Sequence, residues 1–92
     1  MKVENDTNDP VDYDQAGSGG SDDDEFPSAQ ANEQGHLNSN GGNSSFSPAG
    51  SPPWTVTFTD DDTGAQCTSP AFSNASATVK ILSFNPCNIE VS

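Results

Sequence analysis

The sequence has very few basic residues. Lys2 and Lys80 stand against fourteen aspartates and glutamates, which gives a formal net charge of −12 over 92 residues. Two lysines cannot neutralise a row of phosphates, so the composition predicts no nucleic-acid binding. An anionic membrane surface would repel such a chain, and no apolar run approaches the length of a membrane span. We therefore expect no membrane insertion, and the polar residues that follow Met1 predict no signal peptide.

Apolar residues are also scarce, at 29% of the chain, and they are unevenly placed. Residues 1–52 are rich in Asp, Asn, Ser and Gly, with isolated apolar residues and no sustained periodicity. Such a segment is expected to stay disordered, because it buries too little apolar surface to offset the entropy of ordering. The sequence thus predicts a mostly disordered N-terminal half plus a small all-β C-terminal module. We place the two regions at 1–52, as acidic tail and linker, and 53–92.

Cysteine and histidine are rare as well. Cys67 and Cys87 cannot complete a zinc site with His36 as the one histidine in the chain. The favoured interpretation is a disulfide, which would add about 3 kcal/mol of stability; two buried free thiols are the alternative. A disulfide favours an extracellular or virion-surface setting over a reducing one, although the compartment stays unknown.

The C-terminal region carries a clear strand pattern. In "WTVTFT", Trp54, Val56 and Phe58 alternate with threonines, as in a half-buried strand. Further short strands follow in "AQCTS", "ATVKILSF" and "NIEVS", so we expect about four strands in two antiparallel hairpins. A four-residue first loop places Cys67 opposite Phe58 on the apolar face. A second turn centred on Pro86 and Cys87 places Phe84 opposite Ile89 and Leu82 opposite Val91.

The run Asp60-Asp61-Asp62-Thr63-Gly64 is a candidate for calcium binding, because it is rich in carboxylates and contains a glycine. A helix–loop–helix calcium loop needs Gly at its sixth position and Glu at its twelfth. Counting from Asp60 or from Thr59 puts Ala71 or Pro70 at the twelfth position, so neither register fits. The sequence favours an acidic turn in which Asp accepts backbone N–H bonds and Gly64 takes positive φ. Asp60 and Asp62 remain weak calcium candidates, and no cofactor is predicted.

Catalysis finds little support in the residue pattern. His36 lies in a polar segment where no structured neighbour is expected to orient it, and neither cysteine has a nearby histidine. A chain with so few apolar residues is not expected to build the water-excluding pocket that acid–base chemistry needs. We predict no catalytic residues and no enzymatic activity.

The leading hypothesis is a non-enzymatic interaction or structural protein. Its β-module would dock by strand pairing to a second copy or to a larger assembly, using the face formed by Trp54, Val56 and Phe58. The acidic half would act as a solubilising tail, a composition also typical of salt-adapted proteins. The alternative is an acidic mimic that inhibits a basic, nucleic-acid-binding protein. Both hypotheses require a protein partner or a homo-oligomer.

Overall fold

The chain forms a sandwich of two four-stranded β-sheets in a computed structural model, which describes residues 1–18 and 31–92. The first sheet has the order β4-β1-β7-β8 and the second the order β3-β2-β5-β6. All neighbouring strands are antiparallel except β1 and β7, which are parallel. The strands are β1 (Lys2–Asn5), β2 (Val11–Ser18), β3 (Ala31–Leu37), β4 (Gly42–Ser45), β5 (Ser51–Asp60), β6 (Gln66–Thr68), β7 (Thr78–Phe84) and β8 (Cys87–Val91).

The core lies between the two sheets and draws on both ends of the sequence. Alternate residues of the central strands point inward, as the two-residue period of a strand requires. The side chains of the central strands that are entirely buried and apolar are Val3, Val11, Val56, Phe58, Val79 and Ile81. The core therefore depends on β1 and β2 as much as on the C-terminal strands.

The prediction of a disordered N-terminal half is wrong. Residues 1–18 and 31–52 supply four strands and the beginning of β5, and only residues 19–30 lie outside the described part of the chain. The boundary placed between residues 52 and 53 falls within β5. Strands from both sides of it pair with each other in each sheet, as β1 does with β7 and β2 with β5.

The physical reason is that polar residues occupy core positions in the N-terminal strands. Asn5 and Gln15 are both fully buried. The Gln15 amide hydrogen-bonds both polar groups of the Ala49 backbone, donating to its carbonyl at 3.1 Å and accepting from its N–H at 2.8 Å. Satisfied hydrogen bonds of this kind allow a strand to be buried without an apolar pattern in its sequence.

The two C-terminal hairpins are present, but only one has the predicted register. In the β5–β6 hairpin Cys67 lies opposite Phe58 and is buried, which confirms the four-residue loop. In the β7–β8 hairpin Phe84 lies opposite Cys87 and Ile81 lies opposite Ile89, so the predicted pairing is wrong. The turn consists of two residues, 85 and 86, and the register shifts between residues 81 and 83. The turn therefore lies one residue earlier than predicted, and the irregularity adds a further shift that a strict two-residue period misses.

The predicted disulfide links the two sheets. Cys67 on β6 and Cys87 on β8 are bonded, with their Cα atoms 5.7 Å apart, within the usual range for a disulfide. Both strands lie at the edges of their sheets. The bond therefore closes one side of the sandwich, the side opposite β3 and β4.

An aromatic side chain connects β2 with the strands on that opposite side. Tyr13 stacks on Phe46, with ring centroids 5.6 Å apart and planes inclined by 3°. Its ring also lies against Gly35 of β3, where an added Cβ would approach the Tyr13 hydroxyl oxygen to 2.6 Å. Glycine is therefore required at this position of β3 for Tyr13 to occupy the space between the sheets.

Candidate functional site

One end of the sandwich collects aspartates from three parts of the chain. The β5–β6 loop carries Asp61 and Asp62 and begins directly after Asp60, the last residue of β5. The backbone N–H of Asp61 donates to the carbonyl of Pro10 at 3.0 Å, which holds this loop against the β1–β2 loop. We define the acidic end by five aspartates, which are Asp9, Asp12, Asp60, Asp61 and Asp62.

Asp60 shapes the turn on which this end is built. Its carboxylate Oδ1 accepts hydrogen bonds from the backbone N–H groups of Asp62, at 2.8 Å, and Thr63, at 3.3 Å. The N–H of Gly64 donates to the Asp60 carbonyl, and Gly64 has a φ of 76°. These contacts confirm the predicted acidic turn with its glycine at positive φ. Asp60 is only 5% exposed, so it fixes the loop from inside.

Asp9 joins Asp60 and Asp62 in a first group of carboxylates. Each of the three residues offers an oxygen atom that lies within 4.8 Å of the others. The hydrogen bond between the carboxyl groups of Asp9 and Asp60, together with burial and the negative charges of Asp60 and Asp62, raises the pKa of Asp9 to about 6. Near neutral pH these like charges face each other at close range, which destabilises the turn.

These oxygens are of the kind that calcium prefers, but their number is small. Calcium takes six to eight oxygen ligands. The group provides one atom from each of three residues, and the Oδ1 atom of Asp60 already accepts two backbone hydrogen bonds. Asp60 and Asp62, the two candidates from the sequence, do lie together, with Asp9 as the third member. The group fits a weak cation site at best.

A second group contains Asp12, His36 and Asp61. The imidazole Nδ1 of His36 lies 2.8 Å from Asp12 Oδ1 and 3.2 Å from Asp61 Oδ2. The expectation that His36 has no ordered neighbour is wrong, since β3 pairs with β2 and places His36 directly opposite Asp12. About half of the His36 side chain is exposed.

The charges in this second group shift one another's protonation. The Asp12 hydrogen bond is the main cause that raises the pKa of His36 above its ordinary value. Desolvation opposes this shift, and the charges of Asp61 and Asp12 add to it. The hydrogen bond from His36 lowers the pKa of Asp12. The pKa of Asp61 is raised, chiefly by burial and then by the neighbouring Asp12. His36 thus stabilises the ionised form of Asp12 more than that of Asp61.

A shallow groove adjoins the first group. Its volume is about 310 Å³, and it runs between the β1–β2 loop and the β7–β8 hairpin. Asp9 and Asp60 contribute one wall, and Leu82 and Phe84 contribute the other. The groove is open and places an apolar strip beside the carboxylates.

The three residues predicted to contact a partner lie elsewhere. Trp54, Val56 and Phe58 are 6%, 0% and 0% exposed. The Trp54 ring packs against Phe72, with ring centroids 6.3 Å apart, and residues 54 and 72 exchange backbone hydrogen bonds. Their side chains therefore hold the sandwich together and do not form an outer face.

Sequence reasoning missed Asp9, Asp12 and His36 as partners of the aspartate run. The alternation of Val11 and Tyr13 with aspartates was a short strand signal that would have placed Asp12 on an outer face. Nothing local in the sequence indicates that His36 lies opposite Asp12.

Comparison with protein-family models, with curated proteins and with solved structures gives no match for this chain. Within residues 1–18 and 31–92 there is no helix long and apolar enough to cross a membrane.

Proposed function

We propose that this chain is a non-enzymatic interaction module that joins a second copy of itself, or a strand of a larger assembly, by strand pairing at the outer edge of β3. The observation that carries the proposal is the character of β3. It is a seven-residue edge strand, and no strand among the described residues pairs with its outer side. It contains neither proline nor lysine, the residues with which natural edges commonly block pairing.

The other sheet edges are less suited to pairing. β4, β6 and β8 have four, three and five residues. The disulfide between Cys67 and Cys87 also ties β6 to β8. β3 is thus the longest edge among the strands that the structure describes, and it lies on the side of the sandwich without the covalent link.

Net charge sets the conditions for self-pairing. Two copies that each carry −12 repel one another, and added salt screens this repulsion. We therefore expect the dimer fraction to rise with ionic strength. The disulfide between Cys67 and Cys87 supports an oxidising setting, and an extracellular or virion surface is the proposed location.

The test is the oligomeric state, measured by size-exclusion chromatography with light scattering at low and high salt. Gln34→Lys places a charge on the exposed face of β3 and should lower the dimer fraction. Gln66→Lys is the matched control, because it makes the same change at an exposed position of β6. In hydrogen exchange, backbone amides of β3 should gain protection as the protein concentration rises. A chain that stays monomeric at high salt, or equal effects of the two lysines, would overturn the proposal.

A second candidate function is favoured by one observation. Four of the five aspartates of the acidic end lie on β2, on β5 or in the hydrogen-bonded β5–β6 turn, and Asp9 lies in the β1–β2 loop that Asn5 holds. Acidic mimicry of a nucleic acid requires carboxylates fixed in this way. The acidic end would then bind a basic protein. Calorimetric titration with an oligolysine peptide should show binding that weakens steeply as salt rises. Asp12→Asn should weaken it more than Glu90→Gln does, since Glu90 lies on β8 in the other sheet. Binding that is insensitive to salt would exclude this candidate.

A further inference from the structure

Three elements of the second sheet meet at one imidazole nitrogen. His36 on β3 faces Asp12 on β2 at 2.8 Å and Asp61 of the β5–β6 loop at 3.2 Å. Asp14 lies two residues further along β2, opposite Gln34, and Asp62 is a charged neighbour of Asp61. Every one of these neighbours is acidic.

The interaction of His36 with Asp12 and Asp61 depends on whether the imidazole is protonated. A protonated His36 places a positive charge between two carboxylates and attracts both. A neutral His36 leaves Asp12 and Asp61 as neighbouring anions with no cation between them, and like charges at this distance repel. The β5–β6 loop would then lose one of its attachments to β2 and β3.

We propose that His36 is a pH-dependent clasp, in which its protonated ring holds the loop of residues 61–64 against β2 and β3 and loss of the proton releases that loop. The loop can respond as a unit, because internal hydrogen bonds join Asp60 to Asp62, Thr63 and Gly64. Its contact with the carbonyl of Pro10 extends the response to the β1–β2 loop.

The direction of the pH effect follows from the charges. Both carboxylates raise the pKa of His36 above its ordinary value of 6.5. The stabilisation from the protonated ring is complete below pH 6.5 and is lost as the pH rises through the raised pKa. Acidification therefore strengthens the attachment of the β5–β6 loop to β2 and β3 through His36.

A proton NMR titration tests the clasp directly, because His36 is the only histidine in the chain. The wild-type ring should titrate with a midpoint above 6.5. Asp12→Asn and Asp61→Asn should each move the midpoint toward 6.5, since each removes one of the two facing carboxylates. Glu90→Gln removes the same charge from β8 in the other sheet and should leave the midpoint near that of the wild type.

Hydrogen exchange of the loop distinguishes a clasp from a passive ion pair. Relative to amides in the middle of β5, the amides of Asp62, Thr63 and Gly64 should exchange several-fold faster above the titration midpoint than below it. His36→Gln should abolish that change while the spectrum stays that of a folded protein. A midpoint at or below 6.5, the same midpoint in all three carboxyl variants, or loop protection that does not follow the titration would each overturn the proposal. If Asp61→Asn fails to fold, Asp12→Asn still provides the test.

Discussion

At the scale of single residues, two buried amides replace apolar side chains in the core. Asn5 ends β1 and donates from Nδ2 to the carbonyl oxygens of Asp9, at 2.8 Å, and Asn38, at 3.1 Å. Its Oδ1 accepts from the backbone N–H of Thr7 at 3.0 Å and from the Thr7 hydroxyl at 2.6 Å. One side chain thus fixes both the β1–β2 loop, which supports Asp9, and the end of β3. The acidic end depends on this residue although Asn5 carries no charge.

Asn5→Ala should destabilise the protein by about 3 kcal/mol, because it leaves buried backbone groups without their partners. Urea unfolding followed by circular dichroism measures the change. Asn43→Ala is the control, since the Asn43 amide is exposed and donates to the nearby carbonyl of Gly41. Its cost should be far smaller. Equal costs would mean that the Asn5 hydrogen bonds do not hold the loop.

Asp9→Asn should raise the melting temperature at pH 7.5 and change it much less at pH 4.5. The pKa of Asp9 is raised to about 6, so the folded state favours its protonated form. That favourable contribution is complete below pH 3.8 and is lost as the pH rises through about 6, where the charged carboxylate faces Asp60. An asparagine imitates the protonated form at every pH. Thermal melts at the two pH values measure the difference, and an increase of the same size at both would contradict the explanation.

At the scale of elements, the sandwich has one side closed by the disulfide between β6 and β8 and one open side, formed by β3 and β4, without a covalent link. The disulfide joins the edges of β6 and β8, where the strands are short and few ladder hydrogen bonds are available. On the other side β3 and β4 are joined by the short segment of residues 38–41 and meet through the ring of Tyr13. The open side has the longer edge strand, β3, which also carries His36. The proposed docking and the proposed pH response therefore concern the same strand.

Loss of the disulfide should cost about 3 kcal/mol. Cys87→Ser is the better variant, since Cys87 is exposed whereas Cys67 is buried and fills part of the core. Denaturant unfolding should give the variant and the reduced wild type the same stability. Reductant should leave the variant unchanged, which separates loss of the bond from any other effect of reduction. A reduced wild type as stable as the oxidised protein would show that the link contributes nothing to folding.

At the scale of the whole molecule, the two halves of the sequence cannot be separated. β1 lies between β4 and β7, and β2 lies between β3 and β5, so the N-terminal half provides a central strand to each sheet. The C-terminal half alone retains one two-stranded hairpin of each sheet, joined by the disulfide. A two-stranded hairpin is marginal in water without a third strand or a packed face.

A fragment of residues 53–92 should therefore be unfolded, even with its disulfide formed. An amide NMR spectrum checks this, with the intact chain under the same conditions as the control. Narrow dispersion in the fragment is the expected result. A dispersed spectrum would mean that the C-terminal region is an independent module and that β1 and β2 only add to it.

The features of this protein that depend on local pattern could be predicted from the sequence alone. The alternation around Val56, the glycine at the end of the aspartate run and the spacing of Cys67 predicted the β5–β6 hairpin, its loop and the thiol that faces the core. Such features can be predicted from the sequence because neighbouring residues specify the strand period and the turn.

The remaining features arise from contacts between distant parts of the chain. The N-terminal strands are buried through side-chain hydrogen bonds at Asn5 and Gln15, which an apolar pattern does not reveal. The parallel pairing of β1 with β7 joins residues far apart in the chain and has no turn to signal it. The approach of Asp9 and His36 to the aspartate run depends on that assembly. The site around the aspartate run thus includes Asp9 and His36, which are about fifty and twenty-five positions away in the sequence. Only folding brings them close to the run.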